Sequence, residues 1–191
     1  MSGDNSFIET MLTRRCVRKY TGAPVSREDM VTIIRAGMSA PSSKDTRHRY
    51  FIAVDDPAMV RTLGDGLPFS KMVFTAKHII IIASDLTKVH GGAEIDYWVQ
   101  DCAVAGENIL LAAHSLGIAT CWTAAHPRVE REAFLKKTLG IPEHVRPLCV
   151  IAVGIGTGEE KPRDKFEPEK IFWNLWGNTS ILHDQAVLNK G

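Results

Sequence analysis

Residues 94–116, EIDYWVQDCAVAGENILLAAHSL, constrain this chain more than any other stretch. The run is long enough for a long helix and nearly apolar from Cys102 to Leu116, apart from Glu107, Asn108, His114 and Ser115. Gly117 follows, the residue that most easily takes the left-handed turn ending a helix. A helix apolar on most sides is buried on most sides, either at the centre of a domain or at a subunit interface. The rest of the chain must supply that cover. With 191 residues, 45% of them hydrophobic and 24% charged, one compact domain fits and two would be cramped. Residues 1–176 are expected to form this domain, and 177–191 a C-terminal extension.

The remaining periodicities place helices and strands around that helix. Residues 4–13 read as a helix with Ile8, Met11 and Leu12 on one face. Residues 26–38 read as another: Ser26 and Asp29 form a capping-box-like pair, and Met30, Ile33, Ile34, Gly37 and Met38 recur at helical spacing. YFIAV (50–54) is a strand, and Asp56-Pro57 then opens a helix with Asp as N-cap and Pro in the first turn. HIIIIAS (78–84) is short, β-branched and apolar throughout, as a strand buried on both faces would be. IATCW (118–122) and RPLCVIAVGI (146–155) are strands, with a helix at 127–139 closed by Gly140 between them. Helices and strands alternate irregularly, which fits an α+β layered domain better than a regular doubly wound one.

Charge and cysteine usage exclude several classes. A net charge of +1 exerts no general pull on nucleic acid or an anionic membrane, so a basic patch must act locally. The longest apolar strand run is far too short to span a bilayer. Cys16, Cys102, Cys121 and Cys149 are widely spaced with no Cys-x-x-Cys pair, and no signal peptide is apparent. A cytoplasmic protein with reduced thiols is the expectation. The seven histidines show no metal spacing, and neither a Gly-x-Ser-x-Gly elbow nor a P-loop occurs.

Two basic groups stand out in this neutral chain. TRRCVRKYTG (13–22) sets Arg14, Arg15, Arg18 and Lys19 close together, with Glu9 and Glu28 the nearest acids in sequence. Cations at the end of a helix complement its dipole by about 0.3–1 kcal/mol, and a solvated turn would account for them. Against that, Val17 and Tyr20 alternate with the cations as in an extended segment entering the core, where an arginine needs a partner. EKPRDKF (160–166) sets Lys161, Arg163 and Lys165 at alternate positions, on one side of an extended chain. These are either a solvated edge or, with the first group, a convergent site for one phosphate, which the planar fork of arginine suits. VGIGTG (153–158) mimics a dinucleotide fingerprint, but EEKPRDKF follows it rather than a helix, so it reads as a turn leaving the last strand.

SAPSSKDTRHRYF (39–51) is a polar loop between a helix and a strand. Pro41 breaks the helix, and Ser42, Ser43 and Asp45 offer short hydrogen-bonding groups. SLGIATCWTAA (115–125) runs a strand into small residues that either pack tightly or let a flat ring approach the backbone. Glu107 and His114 share a helix face as an ordinary structural pair. Trp173 and Trp176 near the end of the chain need cover, from a tail folded back on its own domain or from a partner subunit. Anion-binding and ring-binding features without an obvious acid, base or nucleophile imply chemistry that belongs to a cofactor.

At this point four motifs become recognisable in order. RRCVRKY resembles the Arg-Arg-Ser-x-Arg-x-Tyr/Phe segment of the FMN-dependent nitroreductase family, and APSSKDTRHRYF resembles its Ala-Pro-Ser-x-x-Asn-x-Gln-Pro-Trp-x-Phe loop. LGIATCW resembles its Leu-Gly-x-x-x-Cys-Trp strand, and VGIGTGEEKPRDKF its closing Val-Gly to Lys-Pro-Arg segment. The resemblance implies an α-β-α sandwich of the α+β class, an intertwined homodimer, and FMN bound in clefts between subunits. By position it places Arg14, Arg15 and Cys16 around the FMN phosphate and ribityl chain, with Lys161 and Arg163. Arg18 would face the pyrimidine edge of the ring. Pro41, Ser42, Ser43 and Asp45 would line the ring from the partner subunit, and Trp122, Thr123 and Ala124 would flank its other side. The implied activity passes a hydride from NAD(P)H through flavin N5 to an electron-poor acceptor such as a nitroaromatic or quinone. The alternatives are a flavin-binding or sensing module without turnover, and a specialised flavin enzyme of the dehalogenase or flavin-fragmenting type.

Three departures from the family pattern stand out. Cys16 replaces serine and exchanges a good hydroxyl donor for a weak thiol one. Asp45 replaces asparagine; ionised, it must accept from the ring N3–H or turn away. Arg47, His48 and Arg49 replace Gln-Pro-Trp and are expected to alter the edge of the cleft.

Overall fold

The computed structural model describes residues 6–68, 71–92 and 95–178. The helices are α1 (Ser6–Thr13), α2 (Arg27–Met38), α3 (Pro57–Gly66), α4 (Val73–Ala76), α5 (Tyr97–Ser115) and α6 (Val129–Leu139). The strands are β1 (Arg49–Val54), β2 (His78–Asp85), β3 (Ala119–Ala124) and β4 (Val145–Gly154). They form one antiparallel sheet in the order β1-β2-β4-β3. None of the described helices is long and apolar enough to cross a membrane.

The two central strands explain the layering. All eight residues of β2 are buried, so each face of the sheet must be covered. Because side chains alternate along a strand, Ile79, Ile81 and Ala83 face a core shared with Leu63, Val73 and Leu135 of α3, α4 and α6. Ile80 and Ile82 face the opposite core, shared with Ile33 of α2 and with Trp98, Cys102 and Ile109 of α5. The register of β2 against β4 shifts between Ile82 and Ala83. That bulge lets Leu148 and Cys149, neighbours in the chain, both reach the α2–α5 side. The result is an α-β-α sandwich.

Local signals behave as expected at the helix ends. Ser26 caps α2 by accepting from the Asp29 N–H at 3.0 Å, and Asp56 caps α3 by accepting from the Met59 N–H at 2.8 Å. Gly117 and Gly140 take left-handed φ of 72° and 65° after α5 and α6. Residues 4 and 5 of the first expected helix, residue 94 of the long one, and residues 179–191 of the expected extension lie outside the described residues.

For the long helix and for the tail, cover within this chain was one of two open alternatives, and the structure supplies it in full to neither. The long helix buries only one side within the chain: Cys102, Ala105, Ile109 and Ala113 are sealed, whereas Val104 on the outer side is 42% exposed. The segment carrying Trp173 and Trp176 does not fold back onto this core. Phe172 packs against Trp176 in a tilted pair with ring centroids 4.7 Å apart, yet Trp176 remains 91% exposed.

The loop after α2 is held by a buried polar clamp that its sequence did not reveal. His48, expected at a cleft edge, points inward and is fully buried; its Nδ1 bonds Ser84 Oγ at 2.7 Å and its Nε2 bonds Asp101 Oδ2 at 2.9 Å. The same carboxylate oxygen accepts the Ser43 N–H at 2.9 Å. Arg49 donates to the carbonyls of Ala40, Pro41 and Asp101. These contacts hold a strained turn, for Lys44, Asp45 and Arg47 all have φ near +50° without being glycine.

Two substitutions test these contacts. Alanine suits a helix better than glycine by about 1 kcal/mol. A Cβ on Gly37, however, would lie 2.8 Å from Ile109 Cγ1 and 3.2 Å from the Ala105 carbonyl, across the α2–α5 contact. Overpacking costs about 1–3 kcal/mol and wins, so Gly37→Ala should lower the urea midpoint; an unchanged or higher midpoint would show that α2 can shift. Asp101→Ala leaves the Ser43 N–H and His48 without their acceptor. It should cost about 1–3 kcal/mol and speed proteolytic cleavage within 41–47 relative to the rest of the chain.

Candidate functional site

The N-terminal cations acquire their setting from β3. After α1 ends at Thr13, the chain runs extended along that strand: Cys16 bridges Thr120 and the Val17 N–H donates to the Thr120 carbonyl at 2.9 Å. It then bridges the segment leaving β4, where the Thr21 N–H donates to Ile155 and the Thr157 N–H to the Lys19 carbonyl. Tyr20 enters the core at 6% exposure and donates its hydroxyl to the Val17 carbonyl at 2.7 Å. This is the extended, core-entering geometry that the alternation of Val17 and Tyr20 implied. VGIGTG is indeed a turn out of the last strand, with no α-helix after it among the described residues.

Between this segment, the end of α5 and the 156–162 turn lies a pocket of about 310 Å³, lined by Arg14, Arg15, His114, Gly158, Glu160 and Pro162 among others. That is the small end of the range for ligand sites. Its polar groups are unevenly satisfied. Arg14 Nε donates to Glu107 Oε1 at 3.2 Å, and Thr13 Oγ1 bonds His114 Nε2 at 3.0 Å. Burial, and then the Arg14 charge, pull the His114 pKa down, so the imidazole is neutral near pH 7. By contrast, Arg14 Nη1 and Arg15 Nε are buried with no acceptor. Leaving such a donor unmade costs about 1–3 kcal/mol. An oxyanion in the pocket would satisfy both nitrogens, and a phosphate fits that donor set better than any neutral group.

The acids that the sequence lacked nearby arrive from elsewhere in the fold. Glu107, expected to be an ordinary structural residue, takes Arg14. Glu159 pairs with Lys19 at 2.5 Å, and Glu160 accepts the Arg18 N–H at 3.2 Å. The Arg18 side chain is exposed, as the solvated alternative for this cluster had it. Lys161 and Arg163 are carried on the segment that forms the rim, exposed and without an ion pair among the described residues.

The other expected residues are distributed along the edges of the sheet and α5. Trp122 lies over α5 at Gly106, where a Cβ would come 2.1 Å from Trp122 Cζ3, so only glycine admits the ring. Thr123 is half-buried. Ala124 is exposed, and its carbonyl accepts from Arg131 Nη1 at 2.7 Å. Pro41, Ser42, Ser43 and Asp45 sit at the Asp101 end of α5, whereas the basic pocket abuts His114. Thirteen residues of helix, about 20 Å, separate those two levels. One chain therefore does not bring the polar loop and the basic pocket together. Asp45 has turned to Arg47, which donates to its two oxygens at 2.8 and 2.6 Å and holds its carboxyl below the usual range. The signal for this pairing was present in sequence as Asp-x-Arg, but only the left-handed turn makes the two side chains meet. Among the described residues, no three or more of His, Cys, Asp and Glu are grouped to hold a metal.

Comparison with known proteins agrees with this architecture. The Nitroreductase family model matches residues 11–65 and 63–155. A protein of Methanothermobacter thermautotrophicus, assigned as an NADH dehydrogenase/NAD(P)H nitroreductase, is 38% identical over 171 residues, spanning 88% of this chain and 87% of its own. A crystal structure from Parabacteroides distasonis with the same assignment superposes with a TM-score of 0.85 at 39% identity, covering 91% of this chain and all of the other. An FMN-dependent nitroreductase from Clostridium difficile superposes with a TM-score of 0.81 at 28% identity, over 88% of this chain and 99% of its own. The four ordered motifs, the sandwich and these matches converge: the chain belongs to the nitroreductase family.

Proposed function

We propose that this chain is an FMN-dependent NAD(P)H oxidoreductase working as a homodimer in the cytoplasm. The observation that carries the reading is the pair of buried guanidinium nitrogens, Arg14 Nη1 and Arg15 Nε, left without a protein acceptor beside a pocket sized for a phosphate. Family membership and the curated relatives' nicotinamide and flavin activities support it. The chemistry FMN supplies when bound is hydride acceptance at N5 from NAD(P)H and hydride donation to an electron-poor acceptor such as a nitroaromatic or quinone.

The chain's own residues bind and orient. Arg14 and Arg15 hold the phosphate, Lys161 and Arg163 add charge from the rim, and Cys16 lines the ribityl side. Arg18, exposed, meets the pyrimidine edge and places positive charge there. Trp122, Thr123 and Ala124 flank one side of the ring. Pro41, Ser42, Ser43 and Asp45 reach it from the partner subunit, because their own chain holds them a helix length from its phosphate pocket. Apolar surface favours that second copy. α1 buries no residue, leaving Phe7 at 64% and Leu12 at 71% exposure, and the tail leaves Leu175 and Trp176 at 75% and 91%. Exposed apolar surface on this scale marks an interface.

Purified protein should carry FMN at about one per chain, released by acid precipitation. Anaerobic addition of NADH or NADPH should bleach it and a quinone should restore the colour. Retained FMN that neither nucleotide bleaches would instead identify a binding module without turnover, and recovery of FAD would overturn the cofactor. Arg14→Ala should weaken FMN binding by about 1.5–3 kcal/mol, the scale of a charge-assisted hydrogen bond, measured by fluorescence titration of the apo-protein. Truncation after Glu167 should lower both dimer stability and flavin retention in sedimentation experiments. An intact protein that sediments as a monomer with full flavin occupancy would end the two-subunit reading.

A further inference from the structure

Cys16 and Cys121 are distant in sequence and meet at the free edge of β3. Cys16 bridges Thr120 in parallel register, one residue before Cys121. With strands about 4.8 Å apart and a rise of about 3.3 Å per residue, the two Cα atoms lie about 6 Å apart. That falls within the roughly 4.4–6.8 Å a disulfide spans. Both side chains turn to the same core: Cys121 is sealed in the α3–α4–α6 layer at 1% exposure, and half-buried Cys16 packs against it. Cys121, the Arg14 guanidinium and the Trp122 backbone are all near enough to act on the Cys16 sulfur. Cys102 and Cys149 belong to the opposite core and are buried there.

We propose that Cys16 and Cys121 form a peroxide-reactive dithiol, with Cys16 the attacking sulfur and Cys121 the resolving one, that closes reversibly to a disulfide against the α3–α4–α6 core, beside the segment that lines the basic pocket. Cys16 stands where the family motif has serine, so the pair belongs to this chain rather than to the common pattern. The neighbours set an ordered reaction. Cys16 is the more accessible sulfur, and its thiol pKa is pulled down by Cys121 and, against the opposing effect of burial, by Arg14, which favours the thiolate there. Cys121 is held protonated chiefly by Cys16 and by burial.

The Cys16 thiolate attacks one oxygen of hydrogen peroxide, the O–O bond breaks, and the departing hydroxide takes a proton to become water. Cys16 is then a neutral sulfenic acid, and the anion that kept Cys121 protonated is gone. The Cys121 thiol loses its proton and attacks the Cys16 sulfur; the S–O bond breaks and the second oxygen leaves as water. Two thiols have lost two electrons and two protons, and peroxide has become two waters. A dithiol reductant reverses the step. The inference stands on the placement of the two cysteines, one residue out of register across the N-terminal bridge and against one core.

The test is mass spectrometry of the reduced full-length protein treated with a small molar excess of hydrogen peroxide at neutral pH. The expected product has lost two hydrogens, yields a peptide linking Cys16 to Cys121, and returns to the starting mass with dithiothreitol. Iodoacetamide should modify Cys16 at least about tenfold faster than Cys102 or Cys149. Cys121→Ser should accumulate a dimedone-trappable sulfenic acid at Cys16 with no linked peptide, and Cys16→Ser should show no rapid peroxide-dependent loss of thiol. An unchanged thiol count, Cys16 carried to sulfinic acid unlinked in the intact protein, or a peptide joining Cys102 to Cys149 would each overturn the proposal.

Discussion

The antiparallel contact between β2 and β4 is the constraint on which the rest of this structure depends. Both strands are buried on both faces, so neither can exist without helices above and below. α2 and α5 supply one layer, and α3, α4 and α6 the other. Because β4 is central, β3 becomes an edge, and that edge is where the N-terminal segment pairs. The position of the basic pocket follows directly: Arg14 and Arg15 are held at the edge by backbone hydrogen bonds to β3 and not by their own charges.

α5 links the two halves of the candidate site while keeping them apart. Its inner face is sealed by close approaches that only glycine permits, at Gly106 under the Trp122 ring and at Gly37 on the facing helix. Its first turns anchor the Ser43 loop through Asp101, and its last turns present Glu107 and His114 to the N-terminal cations. A rigid rod with a loop at one end and an anion pocket at the other makes a second copy the natural source of whatever completes the pocket. Its partly exposed outer side, together with the exposed faces of α1 and the tail, gives that copy somewhere to pack.

Electrostatics in the pocket are a balance and not a simple accumulation of positive charge. Glu107, Glu159 and Glu160 each engage one of the N-terminal basic residues, through its side chain or its backbone, and so limit repulsion among them. What stays unmatched is narrow: two guanidinium nitrogens shielded from water. Shielding matters, since an ion pair in water is worth little, whereas a buried donor left unpaired is costly. Selectivity for an oxyanion thus comes from the few unsatisfied donors rather than from net charge, consistent with a chain whose overall charge is +1.

Short-range physics was written in the sequence. The caps at Ser26 and Asp56, the helix stops at Gly117 and Gly140, the doubly buried HIIIIAS strand and the extended run through Val17 and Tyr20 each depend on neighbours a few residues away. The four motifs carried the family for the same reason: they are contiguous. What the sequence hid depends on pairs brought together from afar. Arg14 meets Glu107, His48 finds Asp101 and Ser84, and Cys16 meets Cys121 only after β3 has paired with the N-terminal segment. The fate of Asp45 turned on three left-handed residues that no composition rule anticipates in a loop without glycine. The tail shows the same limit from the other side. Two tryptophans announce a need for burial, but which surface meets that need is decided by what lies opposite them in space, and among the described residues Trp176 touches the Phe172 ring yet stays 91% exposed.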